Sequence, residues 1–196
     1  MEESFEHLGY RVDITLDYAP ENPRDWSNIS RFYIPRPPRN CSWSELSDDE
    51  AFEISGEVVI KIPLYVLDHS GYAISTKPFN ASRDLGPCGF AYVTSKSLRE
   101  FFSDEERKKD YGKCLAKAKD MVNAEVEIFN KYLNSEVYCY EVYDKNENFV
   151  DGCCGYYSTE DAIADAKASI ECEIKNDSPL FLASGINPIT LKEENE

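Results

Sequence analysis

The longest apolar run in the chain, VVIKIPLYVL at residues 58–67, is the feature that most restricts the fold. Its β-branched and aromatic side chains predict a strand that is buried over most of its length. Pro63 has no backbone donor, so we expect a sheet edge or a bulge at that position. The turn sequence DHSG at 68–71 and the apolar residues at 72–75 then complete a hairpin.

Period-two alternation at residues 10–16 and strand-like runs at 90–93, 137–143 and 149–157 predict further strands. Spacings of three and four predict a long amphipathic helix and a C-terminal one. The two apolar stripes are Ala118, Val122, Val126, Phe129 and Leu133, and Ile163, Ala166, Ile170 and Ile174. We therefore predict an α+β fold with a mostly antiparallel sheet, packed by one long amphipathic helix and a C-terminal helix.

A chain of 196 residues suits a single domain, and we predict one over residues 1–196. Residues 1–55 are rich in proline and acid, so we expect a loop-rich acidic arm with one short helix at Ser42–Phe52. The closing residues 186–196 should form a frayed tail.

The net charge of −16 is concentrated at the two ends of the chain. Residues 1–55 carry −7 and residues 158–196 carry −6, whereas residues 56–95 are neutral. Such a field repels phosphate backbones, so we expect no direct binding of duplex nucleic acid and favour a protein partner with a basic surface. The simpler interpretation is that the acid keeps the protein soluble. The candidate partner-binding residues are Asp25, Trp26, Asp48, Asp49, Glu50, Glu53, Glu160, Asp161 and Asp165.

Trp26 lies in the proline-containing loop PENPRDWSN, where a tryptophan either plugs the edge of the core or offers a binding surface. The plug is the commoner role. The seven cysteines are an odd number and the chain starts MEESFEHLGY, so we expect free thiols in a reducing, cytoplasmic compartment. No apolar run is long enough to predict a membrane span.

One alternative is a small enzyme or ligand-binding domain built on the turn Asp68-His69-Ser70. Cys88 would be the nucleophile, His69 its base, and Asp68 or Asp84 the orienting carboxylate. The spacing matches no known nucleophile signature, and cysteine is commonly a small buried hydrophobe, so structural burial of Cys88 is the better interpretation.

No cofactor or metal ligand set is predicted. The adjacent Cys153 and Cys154 point to opposite faces of a strand and cannot share one ion, and zinc spacings are absent. Asp68, Asp84 and Asp151 either hold Mg²⁺ or Ca²⁺ or cap turns, and the turn role is favoured. Nucleotide-binding glycine motifs and serine hydrolase elbows do not occur.

Three stretches carry a resemblance to a known family. They are PENPRDWSN (20–28), PLYVLDHSGYAISTKPF (63–79) with GPCGFAYVTSKSLREFF (86–102), and EVEIFNKYLNSEVYCYEV (125–142) with CCGYY (153–157). In these residues the chain resembles an uncharacterised family of small acidic proteins encoded by phages, prophages and plasmids of Gram-positive and gut bacteria.

The resemblance implies an accessory role on a mobile element. Together with the charge, it leads to the hypothesis of a non-enzymatic anti-defence inhibitor, of anti-CRISPR type. It would mimic nucleic acid and occupy the basic surface of a CRISPR effector or restriction enzyme in the cytoplasm of the bacterial host. A third possibility is an accessory phage protein with a metabolic or structural role.

Overall fold

The computed structural model describes residues 3–35, 43–68, 72–79 and 87–176. Within these residues the α+β class is confirmed, and the strands pair antiparallel. The strands are β1 (Glu3–His7), β2 (Tyr10–Leu16), β3 (Arg31–Tyr33), β4 (Val58–Asp68), β5 (Tyr72–Ser75), β6 (Gly89–Thr94), β7 (Tyr138–Tyr143) and β8 (Phe149–Tyr156). The helices are α1 (Asp48–Glu53), α2 (Ser95–Phe101), α3 (Asp104–Lys109), α4 (Tyr111–Leu133) and α5 (Thr159–Asn176).

The chain divides into two compact units. The first unit comprises Met1–Leu16 and Tyr138–Glu196, and the second comprises Asp17–Val137. Each unit has its own four-stranded sheet and its own hydrophobic core. The antiparallel strands are thus distributed over two sheets, and the single-domain organisation stays a prediction.

The first unit contains the sheet β1-β2-β7-β8, with helix α5 packed on one face. The sheet contributes alternate side chains to the core because successive residues of a strand point to opposite faces. The core residues from strands and helix are Val12, Ile14, Tyr140, Val142, Ala162, Ala166 and Ile170. The predicted stripe of the C-terminal helix is buried through Ala166 and Ile170, whereas Ile174 is 40% exposed.

The second unit contains the sheet β3-β6-β4-β5 and the long helix α4. Cys114, Ala118, Val122, Val126 and Phe129 are the buried residues of α4, which confirms the predicted amphipathic stripe. They join the core with Phe32, Ile60 and Leu64 from the sheet. Helix α4 begins after Asp110, whose carboxylate accepts the Lys113 amide at 3.0 Å.

Strand β4 changes its neighbours along its length. It pairs with β6 from Val58 to Leu64, and with β5 only from Tyr65 to Asp68. Pro63 therefore lies in the part of β4 that has a partner on one side, and a bulge lies near Val58. This is the edge position at which a strand tolerates proline.

Two local predictions need correction. Residues 3–7 belong to the predicted loop-rich arm but form strand β1. A two-residue turn, Leu8 and Gly9 with φ of 52° and 85°, connects β1 to its antiparallel partner β2. Successive positive φ values give the turn that matches strand twist in a two-residue hairpin. Helix α1 covers only Asp48–Glu53 rather than Ser42–Phe52, because its capping residue is Ser47.

Some predictions fall outside the described residues: the turn residues 69–71, most of the loop containing Asp84, and the tail 186–196. Among the helices that the structure describes, none has the length and apolar character required to cross a membrane.

Candidate functional site

Helix α1 concentrates exposed acid and one exposed aromatic ring in the second unit. Its sequence is DDEAFE, only Ala51 is buried, and no basic residue lies in its last turn. Phe52 is 81% exposed, although phenylalanine is usually buried. We call Asp48, Asp49, Glu50, Phe52 and Glu53 the α1 surface.

The N-terminus of α1 is fixed by a capping box. The Ser47 hydroxyl accepts the Glu50 amide at 3.2 Å, and the Glu50 carboxylate accepts the Ser47 amide at 2.8 Å. The Ser47 amide and hydroxyl both donate to the Glu50 carboxylate, and these two hydrogen bonds lower the pKa of Glu50. Negative side chains in the first turn interact favourably with the helix dipole, so Asp48, Asp49 and Glu50 stabilise α1.

The segment before α1 is attached to strand β3. The Glu45 amide donates to the Phe32 carbonyl at 2.8 Å, and the Ile34 amide donates to the Ser44 hydroxyl at 3.0 Å. The Tyr33 hydroxyl also donates to Asp48 at 2.9 Å, which raises the pKa of Tyr33. The α1 surface is therefore held beside the sheet of the second unit.

Asp25 and Trp26 lie at the end of a 3-10 helix at Pro23–Asp25, and both are exposed. Trp26 is 44% exposed and is not among the side chains that pack against the core of its unit, which contradicts its interpretation as a plug at the core edge. Its indole nitrogen donates to Glu21 at 3.4 Å. The indole thus contributes to the surface, as the alternative interpretation requires.

A buried ionic network stabilises this loop. Arg24, whose side chain is only 6% exposed, binds both carboxylate oxygens of Glu45 at 2.8 and 3.0 Å and lies 3.4 Å from Glu125 of α4. Its guanidinium also lies 3.8 Å from the centre of the Phe32 ring. The network joins the Trp26 loop to α4 and to the segment that leads into α1.

Glu125 completes the network by accepting backbone amides. Its carboxylate accepts the Ile29 amide at 2.6 Å and the Ser30 amide at 3.3 Å. No local sequence pattern indicates this site, because Glu45 and Glu125 lie 21 and 101 residues from Arg24. A buried charge pair needs such additional hydrogen bonds to offset its loss of hydration.

The remaining predicted acids belong to the first unit, in the first turns of α5. The Ser158 hydroxyl accepts the Asp161 amide at 3.1 Å and donates to Glu160 at 3.0 Å. Asp165 accepts the Tyr156 hydroxyl. These acids therefore take part in capping α5 and attaching it to β8, while Glu160, Asp161 and Asp165 all remain exposed.

Of the residues in the alternative catalytic site, the structure describes only Cys88 and the backbone of Asp68. Cys88 is half-buried, and its thiol donates to the Leu64 carbonyl at 3.3 Å. Burial raises the pKa of this thiol, which disfavours the thiolate needed for nucleophilic attack. These observations support a structural role. His69, Ser70 and Asp84 lie outside the described residues.

Asp151 takes part in a hydrogen-bond network rather than a turn. It accepts the Ser169 hydroxyl, the Tyr140 hydroxyl at 3.0 Å and the Gly152 amide at 2.8 Å. The hydrogen bond from Ser169 is the largest influence that lowers the pKa of Asp151, whereas burial raises the pKa of Tyr140 to about 12. The network joins β7, β8 and α5, and it occupies the oxygens that a metal ion would need.

A shallow groove of about 380 Å³ lies where α3 meets α4. Lys109, Lys113 and Lys117 line it beside Glu106 and Asp110. Asp110 lies 3.4 Å from the Lys113 ammonium, so part of this positive charge is compensated locally. The groove does not include any of the predicted site residues.

Comparison of the chain with models of protein families, with curated proteins and with solved structures finds no match.

Proposed function

We propose that this protein is a non-enzymatic inhibitor that binds a host nucleic-acid-processing defence complex through acidic surfaces. The basic groove of a CRISPR effector or a restriction enzyme is the proposed docking site. The observation that carries this proposal is Phe52, 81% exposed among the exposed carboxylates of Asp48, Asp49, Glu50 and Glu53.

Exposed carboxylates on a capped helix supply fixed negative charge of the kind that a phosphate-binding groove attracts. The net charge of −16 strengthens this field, which accelerates association with a basic partner. Charge alone gives modest affinity, because exposed ion pairs contribute little. Phe52 supplies the apolar contact that a binding hot spot requires.

The class of partner rests on the resemblance to proteins encoded by phages, prophages and plasmids. An accessory protein of a mobile element benefits from blocking enzymes that destroy foreign nucleic acid. This step is an inference from context, whereas the acidic surface is the physical support. The half-buried, hydrogen-bonded thiol of Cys88 gives no support to the enzymatic alternative.

The test is binding of the purified protein to a panel of CRISPR effectors and restriction enzymes over a salt series. We expect at least one complex, with an association rate that falls about tenfold as ionic strength rises from 50 to 500 mM. Adding the cognate nucleic acid first should block the complex, because both ligands need the same basic groove. Absence of binding to every member, or binding that salt and nucleic acid leave unchanged, would overturn the proposal.

A further inference from the structure

Cysteines on neighbouring strands of the first unit form a bridge that the sequence pattern did not predict. Cys139 of β7 lies directly opposite Cys154 of β8, and the two form a disulfide with a Cα separation of 3.9 Å. The expectation of free thiols is therefore wrong for this pair. Cys153, next in the chain, is a free and exposed thiol.

The bridge lies on the face of the sheet opposite α5, although the Cys139 side chain is itself buried. Tyr140 and Val142 of β7 contact α5 and belong to the core, and side chains alternate along a strand. The Cys139 side chain therefore points to the opposite face of the sheet. Because neither cysteine belongs to the cluster packed against α5, we expect that packing to persist when the sulfur–sulfur bond breaks.

Backbone pairing of β7 with β8, as well as the bridge, holds Cys139 opposite Cys154. Strand β7 pairs with β8 on both sides of the bridge, from Tyr138 opposite Tyr156 to Tyr143 opposite Phe149. After reduction, the thiols of Cys139 and Cys154 would therefore still lie opposite each other, in position to form the disulfide again. Cys154 is exposed and Cys139 is buried, so a small thiol in solution approaches the bridge from the Cys154 side.

We propose that Cys139 and Cys154 form a reversible thiol–disulfide exchange site for small-molecule monothiols of the glutathione class. A thiolate attacks Sγ of Cys154, the sulfur–sulfur bond breaks, and Cys139 leaves as a thiolate that takes a proton. A second thiolate attacks the small-molecule sulfur of the mixed disulfide and releases Cys154, which is protonated in turn. Two monothiols lose two electrons and two protons and leave as their disulfide.

This site reconciles the bridge with a reducing compartment. Exposure to an oxidising ratio of the same small molecules closes the bond by the reverse steps. Cys153 is an internal control, because its side chain lies on the other face of β8 from Cys154.

The test is a redox titration of the full chain in buffers of varied ratio of reduced to oxidised glutathione. After acid quenching and alkylation, peptide mass spectrometry reads each cysteine separately. We expect Cys139 and Cys154 to be alkylated to the same extent at each glutathione ratio, whether the titration starts from the oxidised or from the reduced protein. The far-ultraviolet circular dichroism spectrum should stay unchanged.

Two variants make the assignment specific. Cys153→Ser should titrate as the wild type, and Cys139→Ser should carry one glutathione on Cys154 under oxidising conditions. A pair that stays closed at every ratio, or stays open in oxidised glutathione, would overturn the proposal. So would a bridge that requires Cys153, or a loss of the dichroism spectrum when the bond opens.

Discussion

Arg24 and Glu45 form a bidentate ion pair, in which two nitrogens of the guanidinium lie 2.8 and 3.0 Å from the two carboxylate oxygens. The Arg24 side chain is 6% exposed and that of Glu45 is 23% exposed. Replacing Arg24 by Ala leaves the carboxylates of Glu45 and Glu125 without their common cation. Removing one member of such a buried pair costs about 3–5 kcal/mol of unfolding free energy.

Urea unfolding followed by tryptophan fluorescence measures this change, since both tryptophans, Trp26 and Trp43, lie in the second unit. Arg99→Ala, at an exposed position of α2, is the matched control and should change stability by no more than about 0.5 kcal/mol. Equal effects of the two substitutions would contradict a stabilising network around Arg24.

Gly89 of β6 lies against the backbone of β3, so an added side chain has no room. A Cβ atom there would overlap the Tyr33 carbonyl oxygen and lie 2.9 Å from Cα of Ile34. We expect Gly89→Ala to cost about 1–3 kcal/mol, because backbone atoms cannot move aside as a flexible side chain can. Gly56→Ala is the control, since nothing lies within 4 Å of its added Cβ.

Denaturant unfolding of both glycine variants checks this prediction. A Gly89→Ala protein as stable as the Gly56→Ala protein would show that β3 and β6 do not approach each other this closely.

Asp151 gives the first unit a pH-dependent contribution to stability. The hydrogen bond from Ser169, helped by those from Tyr140 and Gly152, holds the pKa of Asp151 below its ordinary value of 3.8. The folded state therefore favours the ionised carboxylate. This contribution is present above about pH 4 and is lost as pH falls through the lowered pKa.

Ser169→Ala should raise the pKa of Asp151 toward 3.8 and reduce the loss of stability in acid. A carboxyl ¹³C NMR titration measures the pKa directly. Ser103→Ala, which removes a capping hydroxyl of α3 in the second unit, should leave the Asp151 titration unchanged. An Asp151 pKa that is the same in wild type and Ser169→Ala would contradict the assigned cause.

Local sequence patterns predicted those elements whose residues alternate or repeat clearly. Strand β2 has the predicted bounds, Tyr10–Leu16, because Val12 and Ile14 alternate with polar residues along a half-buried strand. Strand β1 escaped prediction because Phe5 is its only apolar residue, and its pairing with β2 supplies the hydrogen bonds that its composition does not suggest.

Contacts between distant residues could not be predicted in this way. The Arg24 network depends on how the chain brings Glu125 of α4 to the Trp26 loop. The Cys139–Cys154 bridge depends on a strand register that shifts between Val142 and Tyr143. The predicted acids of α1 do lie together, because they belong to one short helix, but the exposure of Phe52 among them was not predicted.

Phe52→Ala tests whether the exposed ring is a binding contact. On a complex found in the salt series, we expect a loss of about 2 kcal/mol, close to thirtyfold in Kd and mainly in the dissociation rate. Stopped-flow or surface-based kinetics separates the two rates. Phe149→Ala, at a ring that is 61% exposed in the first unit, is the matched control and should bind as the wild type.

The central claim is tested most directly by neutralising the charges of the α1 surface. The variant Asp48→Asn, Asp49→Asn, Glu53→Gln is compared with Glu105→Gln, Asp120→Asn, Glu136→Gln, which removes the same charge from exposed positions elsewhere in the second unit. We expect the first variant to associate with the partner about tenfold more slowly at low salt and to lose most of its salt dependence. The control should retain most of the wild-type rate, whereas equal losses in the two variants would contradict a specific role for the α1 surface.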